Sequence, residues 1–403
     1  MSTATTDLIA TDAETANQPS AQASVEAATE ASAEAAMQAS APTPAEPKTS
    51  ETTGVDLTEL TGPNLPHERL VVVKGERSGL TISIAAHSTR LGQALGGCRL
   101  WTYDNWVEAM HDSLRLAEGM TLKNAAAGLN RGGGKAVIFL PRGTVLDAAR
   151  RRSVMLDLGD AIESLNGAYM TAEDVGTSAE DMAVVAERTK HVCGLPSERG
   201  GVGEPSDATA AGVYSALLAT VEETFGSRDV SGRRVTVLGL GHVGSLIATR
   251  LAGDGAQLTV TDVNPAKREL ADALGARWVH PEDAHRVEGD LFVPAGVGGT
   301  LTSQVIDELR VRAVVGPANN QLAERSGAER MRGRGIIWAP DFVVNAGGVI
   351  FLDTLTQPGA SAEATAARVE SIGDTVTQIF ADARSRGITT LAAAEELAAA
   401  RLG

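Results

Sequence analysis

One segment restricts the possible folds more than any other: RRVTVLGLGHVGSLIATRLAGDGAQLTVTDVN, residues 233–264. It reads as strand, glycine turn, helix and strand, in that order. Gly239, Gly241 and Gly244 form G-x-G-x-x-G directly after the apolar run Val235 to Leu238. The first glycine permits the tight turn, the second lets a pyrophosphate approach, and the third lets the helix lie close on the sheet. The backbone from Gly239 through Leu240, Gly241, His242 and Val243 to Gly244 is therefore the expected phosphate contact, at a helix N-terminus that favours an anion. A glycine turn alone is a weak signal. Here Asp262 closes the next strand, eighteen residues beyond Gly244, where an acid accepts from both ribose hydroxyls and repels a 2′-phosphate. The segment predicts a Rossmann doubly wound sheet that binds NAD rather than NADP.

At 403 residues the chain is too long for that unit alone. Upstream, RLVVVKGERSGLTISIAAHS reads as two strands joined at Glu76 to Gly79. In DNWVEAMHDSLRLAEGMTLKN, Trp106, Met110, Leu114 and Ala117 recur at helical spacing, with Asp104 or Asn105 as N-cap. A strand from Ala136 to Leu140, a helix around Val145 to Leu165, a strand ending near Ala172 and another helix follow. This predicts an N-terminal α/β domain with a mixed sheet. Downstream, ATAAGVYSALLATVEETFG reads as a long helix, and DLFVPAG, AVVGPANN and GIIWAPDFV continue the doubly wound sheet. The expected division is a tail over 1–58, a substrate-binding and oligomerisation domain over 59–193, the NAD-binding domain over 194–340, and C-terminal helices over 341–403.

Charge narrows the partners. A net charge of −16 disfavours nucleic acid and anionic membrane surfaces. No apolar run approaches the ~20 residues that span a bilayer. The first ~55 residues carry eight acids against the single Lys48 and few large apolar groups, a composition that reads as a disordered tail with local helix around Ala21 to Ala41. It lacks the arginines of a transit peptide and the cationic start of a secretory signal. Cys98 and Cys193 are far apart and form no metal spacing, which fits a reducing cytoplasm and no bound metal.

The stretch LKNAAAGLNRGGGKAVIF, residues 122–139, sets Lys123 and Lys135 twelve positions apart around small residues. It is not a phosphate loop of the G-x-x-x-x-G-K-[ST] kind. Leu129 stands where that loop needs glycine, Ala136 replaces its hydroxyl, and the strand follows the glycines instead of preceding them. In a nicotinamide enzyme two lysines have other uses. One can pair with a substrate carboxylate; the other, crowded by positive charge and desolvated, can exchange protons. The glycines would let backbone and substrate come close.

LGQALGGCRLWTY, EGMTLKNAAAGLNRGGGKAVI, MTAEDVGTS, GLGHVG, GPANNQL and APDFVVNAGGVI occur in this order. From about Arg69 onward the chain resembles the amino-acid dehydrogenases of the glutamate, leucine, phenylalanine and valine group, most of all the leucine, valine and phenylalanine members. The resemblance implies reversible NAD-dependent oxidative deamination of an L-amino acid to a 2-oxo acid and ammonia, by a homo-oligomer seated on the N-terminal sheet. It implies that Lys123 binds the substrate carboxylate, that Lys135 activates water, and that Asp174 holds the ammonium and shuttles protons. Gly96 and Gly97 would face the substrate. Asn319 or Asn320 would bridge substrate and cofactor. Thr209 would contact the nicotinamide carboxamide or simply start a helix, and Asn345 would help there or shape a turn. The side-chain pocket would be Leu95, Ala172, Val349 and Leu352, all apolar, which disfavours glutamate. Branched-chain members tend to carry alanine and valine at the positions of Ala172 and Leu352, and phenylalanine members glycine and leucine. This chain has one of each; because Ala172 narrows the pocket floor and the first three motifs resemble the branched-chain members more, leucine, valine or isoleucine is the expected substrate, phenylalanine or tryptophan the alternative. An inactive NAD-binding regulator is a remote one. The chain departs from the group at Cys98, where threonine is usual, and at Glu204 and Asp207, where neutral residues are usual.

Overall fold

The computed structural model describes residues 65–357 and 359–403. The tail expected over 1–58, with its helix around Ala21 to Ala41, lies outside the described residues. Strands β1 (Arg69–Lys74) and β2 (Thr81–Ser88) form the expected antiparallel hairpin, Lys74 opposite Thr81. Asp157 of the Ala148–Glu163 helix anchors its turn by accepting from the Ser78 amide at 2.8 Å and the Ser78 hydroxyl at 2.7 Å.

Strands β3 (Ala94–Leu95) and β4 (Cys98–Tyr103) lie end to end, parallel to β5 (Gly132–Pro141), with Gly96 and Gly97 at the break. On its other edge β5 pairs antiparallel with β2, and β6 (Tyr169–Met170) pairs with β3, so the sheet is mixed. The strand expected over Ala136 to Leu140 thus begins four residues earlier and takes in Lys135. Three glycines disfavour a strand by propensity, but ladder bonds on both edges outweigh that cost. Across this sheet lies the helix Trp106–Ala126, capped by Asn105, whose side chain accepts from the Val107 and Glu108 amides. Its last turn carries Lys123.

The second sheet contains β7 (Arg234–Leu238), β8 (Gln257–Thr261), β9 (Arg277–Trp278), β10 (Leu291–Pro294), β11 (Ala313–Val314) and β12 (Ile337–Trp338). All pairs are parallel, in the order β12-β11-β10-β7-β8-β9. The winding reverses between β7 and β10, which opens a crevice at the carboxyl ends of those strands. The C-terminal helices return to the N-terminal domain. Ile372–Arg386 lies on the helix Ser206–Phe225, and Thr390–Leu402 reaches back to Trp106–Ala126. Arg401 and Arg368 donate to the Ala125 and Gly128 carbonyls at that helix's C-terminal end. Among the described residues, no helix is long and apolar enough to cross a membrane and no group of acidic, histidine and cysteine side chains could hold a metal.

Candidate active site

The helix bearing Lys123 and the strand bearing Lys135 are brought together by what the glycines lack. A Cβ on Gly133 would lie 2.0 Å from the Thr121 backbone nitrogen, and one on Gly134 would lie 2.6 Å from the Tyr169 ring. One on Gly96 would meet the Gly134 carbonyl oxygen at 1.8 Å. The space at Gly133 and Gly96 is filled by the protein's own backbone and that at Gly134 by the Tyr169 ring, while Gly96 and Gly97 also line the cavity. Asn124 then ties helix to strands, donating to the carbonyls of Gly132 at 2.6 Å and Leu95 at 3.2 Å.

Between these elements Lys135, only 5% exposed, places Nζ 2.7 Å from Asp174 Oδ2. Arg99 Nε reaches the same oxygen at 3.3 Å. Burial would raise the Asp174 carboxyl, but the Lys135 ammonium and the Arg99 guanidinium together outweigh it and hold the group down at about 2. Lys123 Nζ donates to Asn319 Oδ1 at 3.0 Å, and Asn345 Nδ2 donates to that same oxygen at 2.8 Å. Burial pushes the Lys123 ammonium down to about 8; Asp341 resists, and Lys135 adds to the push. Both lysines, Asp174, Gly96, Gly97, Asn319, Asn320 and Asn345 line one cavity of about 200 Å³. Asn320 holds a left-handed φ of 51°. The apolar residues expected around the side chain also gather there. Leu95, Ala172 and Leu352 form a small cluster with Cys193, and Val349 packs against it.

A cleft with cations at one end and aliphatic carbon at the other fits a zwitterion with an apolar side chain. The sequence model described as Glu/Leu/Phe/Val dehydrogenase, dimerisation domain, matches residues 67–191, and the one described as Glutamate/Leucine/Phenylalanine/Valine dehydrogenase matches residues 260–401. The chain belongs to the Glu/Leu/Phe/Val dehydrogenase family. Like other members it is an NAD-dependent amino-acid dehydrogenase, an oxidoreductase acting on a CH–NH₂ group. It is 43% identical to a leucine dehydrogenase of Thermoactinomyces intermedius over 83% of this chain and 91% of that one. Identity is 40% with a valine dehydrogenase of Streptomyces albus, over 83% of this chain and 92% of that one. The solved structure of L-tryptophan dehydrogenase from Nostoc punctiforme is similar at a TM-score of 0.70 and 33% identity, covering 86% of this chain and 97% of that one.

A third model, the NAD-binding domain of D-isomer specific 2-hydroxyacid dehydrogenases, matches residues 206–288. The residues of this dehydrogenase fit NAD. Gly239, with φ 105°, leaves no room for a Cβ against Gly296, and a Cβ on Gly244 would strike the Gly239 carbonyl, whereas Gly241 faces open space. His242 and Val243 begin the helix His242–Gly253, whose N-cap is Gly241, and the Leu240 side chain is buried in the core. Asp262 accepts from the Leu240 amide at 2.6 Å through Oδ2 and from the Asn264 amide at 2.8 Å through Oδ1, and each oxygen keeps a lone pair. Asn345 Oδ1 is buried without a partner, an acceptor placed to receive an N–H such as a carboxamide's. Thr209 donates to the Pro205 carbonyl at 3.0 Å and stands beside cavity-lining Gly348.

Sequence reasoning missed three charged cavity residues, Arg99, Asp341 and Glu173, the last with its carboxyl pushed up by burial to about 7. Arg99 lies inside the quoted GGCRLWTY but became visible only through its contact with Asp174, 75 positions away. Asp341, in APDFV, is buried near Lys123; burial raises its carboxyl and the Lys123 ammonium partly offsets this.

Proposed function

We propose that the chain oxidatively deaminates leucine, valine or isoleucine, as the apolar cluster of Leu95, Ala172, Val349 and Leu352 beside the lysines supports best. The identity with leucine dehydrogenases supports the same reading. Phenylalanine or tryptophan is the second reading, favoured by Leu352 and by the likeness to a tryptophan dehydrogenase. One methylene in such a pocket shifts selectivity by only ~1–3 kcal/mol. NADH formation from L-leucine, L-valine, L-isoleucine, L-phenylalanine, L-tryptophan and L-glutamate at alkaline pH is the direct test. The three branched-chain acids should give the highest kcat/KM and glutamate the lowest; activity on none would end the reading.

In this mechanism Lys123 holds the substrate carboxylate and Asp174, an anion before substrate arrives, orients the α-ammonium. The Gly239 to Gly244 turn, Asp262, Thr209 and Asn345 would hold NAD, which would supply the acceptor for the Cα hydride. Asn319, already bonded to Lys123 and Asn345, bridges substrate and cofactor; Asn320 lines the cavity beside it. Lys135 takes a proton from the water that adds to the imine carbon, and Asp174 passes protons as ammonia leaves. Closure of the cleft excludes other water.

The depressed Lys123 gives a sign for pH dependence. Its ammonium form is present below about 8 and lost above, so the amino-acid KM should rise as pH increases through that region. Substrate carboxylate opposes the loss, which moves the rise to higher pH in the complex. Measured at saturating NAD, KM should climb by about tenfold per pH unit beyond the limb, and Lys123→Met should bind weakly without that climb. A KM equally steep in Lys123→Met would remove Lys123 from carboxylate binding.

The two cysteines are free and buried, consistent with a cytoplasmic enzyme. Among the described residues strand β1 pairs on one edge only, with β2, and the half-buried strand supports homo-oligomerisation along its other edge.

A further inference from the structure

Arg99 stands behind Asp174 and is itself gripped from behind. Its Nε donates to Asp174 Oδ2 at 3.3 Å, the oxygen that Lys135 approaches to 2.7 Å. Its Nη1 donates to Asp112 Oδ2 at 3.0 Å. The Asp112 carboxylate is fixed in turn by the Tyr103 hydroxyl at 2.7 Å and by Arg115 Nη2 at 2.6 Å. Strand β4 carries Arg99 opposite Val137 of β5, two residues beyond Lys135. The charged groups facing Asp174 are thus Lys135 from β5, Arg99 from β4 and Lys123 from the Trp106–Ala126 helix, and the titratable Cys98 thiol of β4 beside them is pushed up by burial and stays neutral.

Two of these three cations are lysines, and a lysine that works as a base spends part of each cycle neutral. A guanidinium keeps its charge throughout. Whenever Lys135 is neutral, Asp174 loses its nearest counter-charge, and a carboxylate in so dry a site takes up a proton unless another cation remains. On the amino-acid dehydrogenase reading, we propose that Arg99 is the positioning residue that keeps Asp174 an anion, and its Oδ2 in place, while Lys135 takes the proton from water, and that returns Asp174 to the anion after it has passed a proton to the leaving ammonia. The other carboxylate oxygen is then left to the substrate ammonium. Asp112, Tyr103 and Arg115 form the outer brace that stops Arg99 from swinging into the cleft.

The test compares Arg99→Gln and Arg99→Lys with the full-length enzyme on its best amino acid. Removing a fixed cation favours the protonated form of each neighbouring group, so the acidic limb of kcat/KM in Arg99→Gln should move to higher pH by about one unit. Its kcat should fall by roughly 100-fold through loss of carboxylate placement, with NADH binding, followed by fluorescence, unchanged. Arg99→Lys should return the limb to its wild-type position and recover part of kcat. Should Arg99→Gln fail to fold, Asp112→Asn, which leaves the guanidinium but removes the anion behind it, should move the limb in the opposite direction, to lower pH, by less, because Arg99 then bears on Asp174 alone. A limb at the wild-type pH in Arg99→Gln or, where that variant does not fold, in Asp112→Asn overturns the proposal, as does an Arg99→Lys no better than Arg99→Gln. Wild-type turnover, measured first, separates these outcomes from failure of the dehydrogenase reading itself.

Discussion

Lys135→Ala should lower kcat by ~10³-fold or more while leaving NAD binding within about twofold of wild type. The side chain reaches Asp174 from the middle of β5, and among the described residues no other cavity side chain both contacts that carboxylate and can lose a proton and regain it. Arg99 stays behind to neutralise Asp174, so the variant is not left with an uncompensated buried charge and should fold. The dinucleotide turn lies on the other sheet, at Gly239 to Gly244, and does not depend on Lys135. Steady-state NADH formation gives kcat, and quenching of protein fluorescence on titration with NADH gives cofactor affinity. Turnover near the wild-type level would remove Lys135 from the chemistry. Loss of NADH binding in step with turnover would point to a folding defect instead.

The cofactor sheet was legible because its signals are local. Strand, turn, helix and acid follow within residues 233–264, and the third glycine, Gly244, has its steric reason inside that segment, against the Gly239 carbonyl. The two lysines and the four apolar pocket residues were legible through motif resemblance, and the structure gathers all six around one cavity. What stayed hidden depends on side chains that meet across long separations. Lys123 and Asn319 are 196 positions apart, and no periodicity brings them together. Arg99 reads in sequence as an ordinary strand arginine until β4 and the loop after β6 place it against Asp174. The choice between Asp104 and Asn105 as N-cap turned on one turn of backbone, settled by the two amides that the Asn105 side chain receives. The glycines before Lys135 were the least readable. Their identity suggested a close approach of backbone and substrate, while the function of Gly133 is to let a helix press on the strand.

That function sets a second large effect, on stability and activity together. In Gly133→Ala the new methyl would start 2.0 Å from the Thr121 backbone nitrogen, so helix or strand must move by more than an ångström. The strand cannot yield, because Gly133 pairs with Ser88 of β2 on one side and Leu95 of β3 on the other. The helix is held by Asn124 and by the C-terminal helix Thr390–Leu402 behind it. Overpacking against backbone on both sides should cost about 3 kcal/mol and lower Tm by roughly 5 °C or more. Whatever helix displacement relieves the clash also carries Lys123 away from Lys135, and a misplacement of about 1 Å in a positioned site costs ~100-fold in rate. Gly253→Ala, at a helical position with open space around it, is the matched control and should leave Tm and kcat unchanged or slightly improved. Thermal unfolding and NADH formation on the same preparations read both effects. If Gly133→Ala kept its Tm but lost turnover, the helix would have shifted at little cost, and the spacing of the two lysines would be a requirement of catalysis rather than of folding.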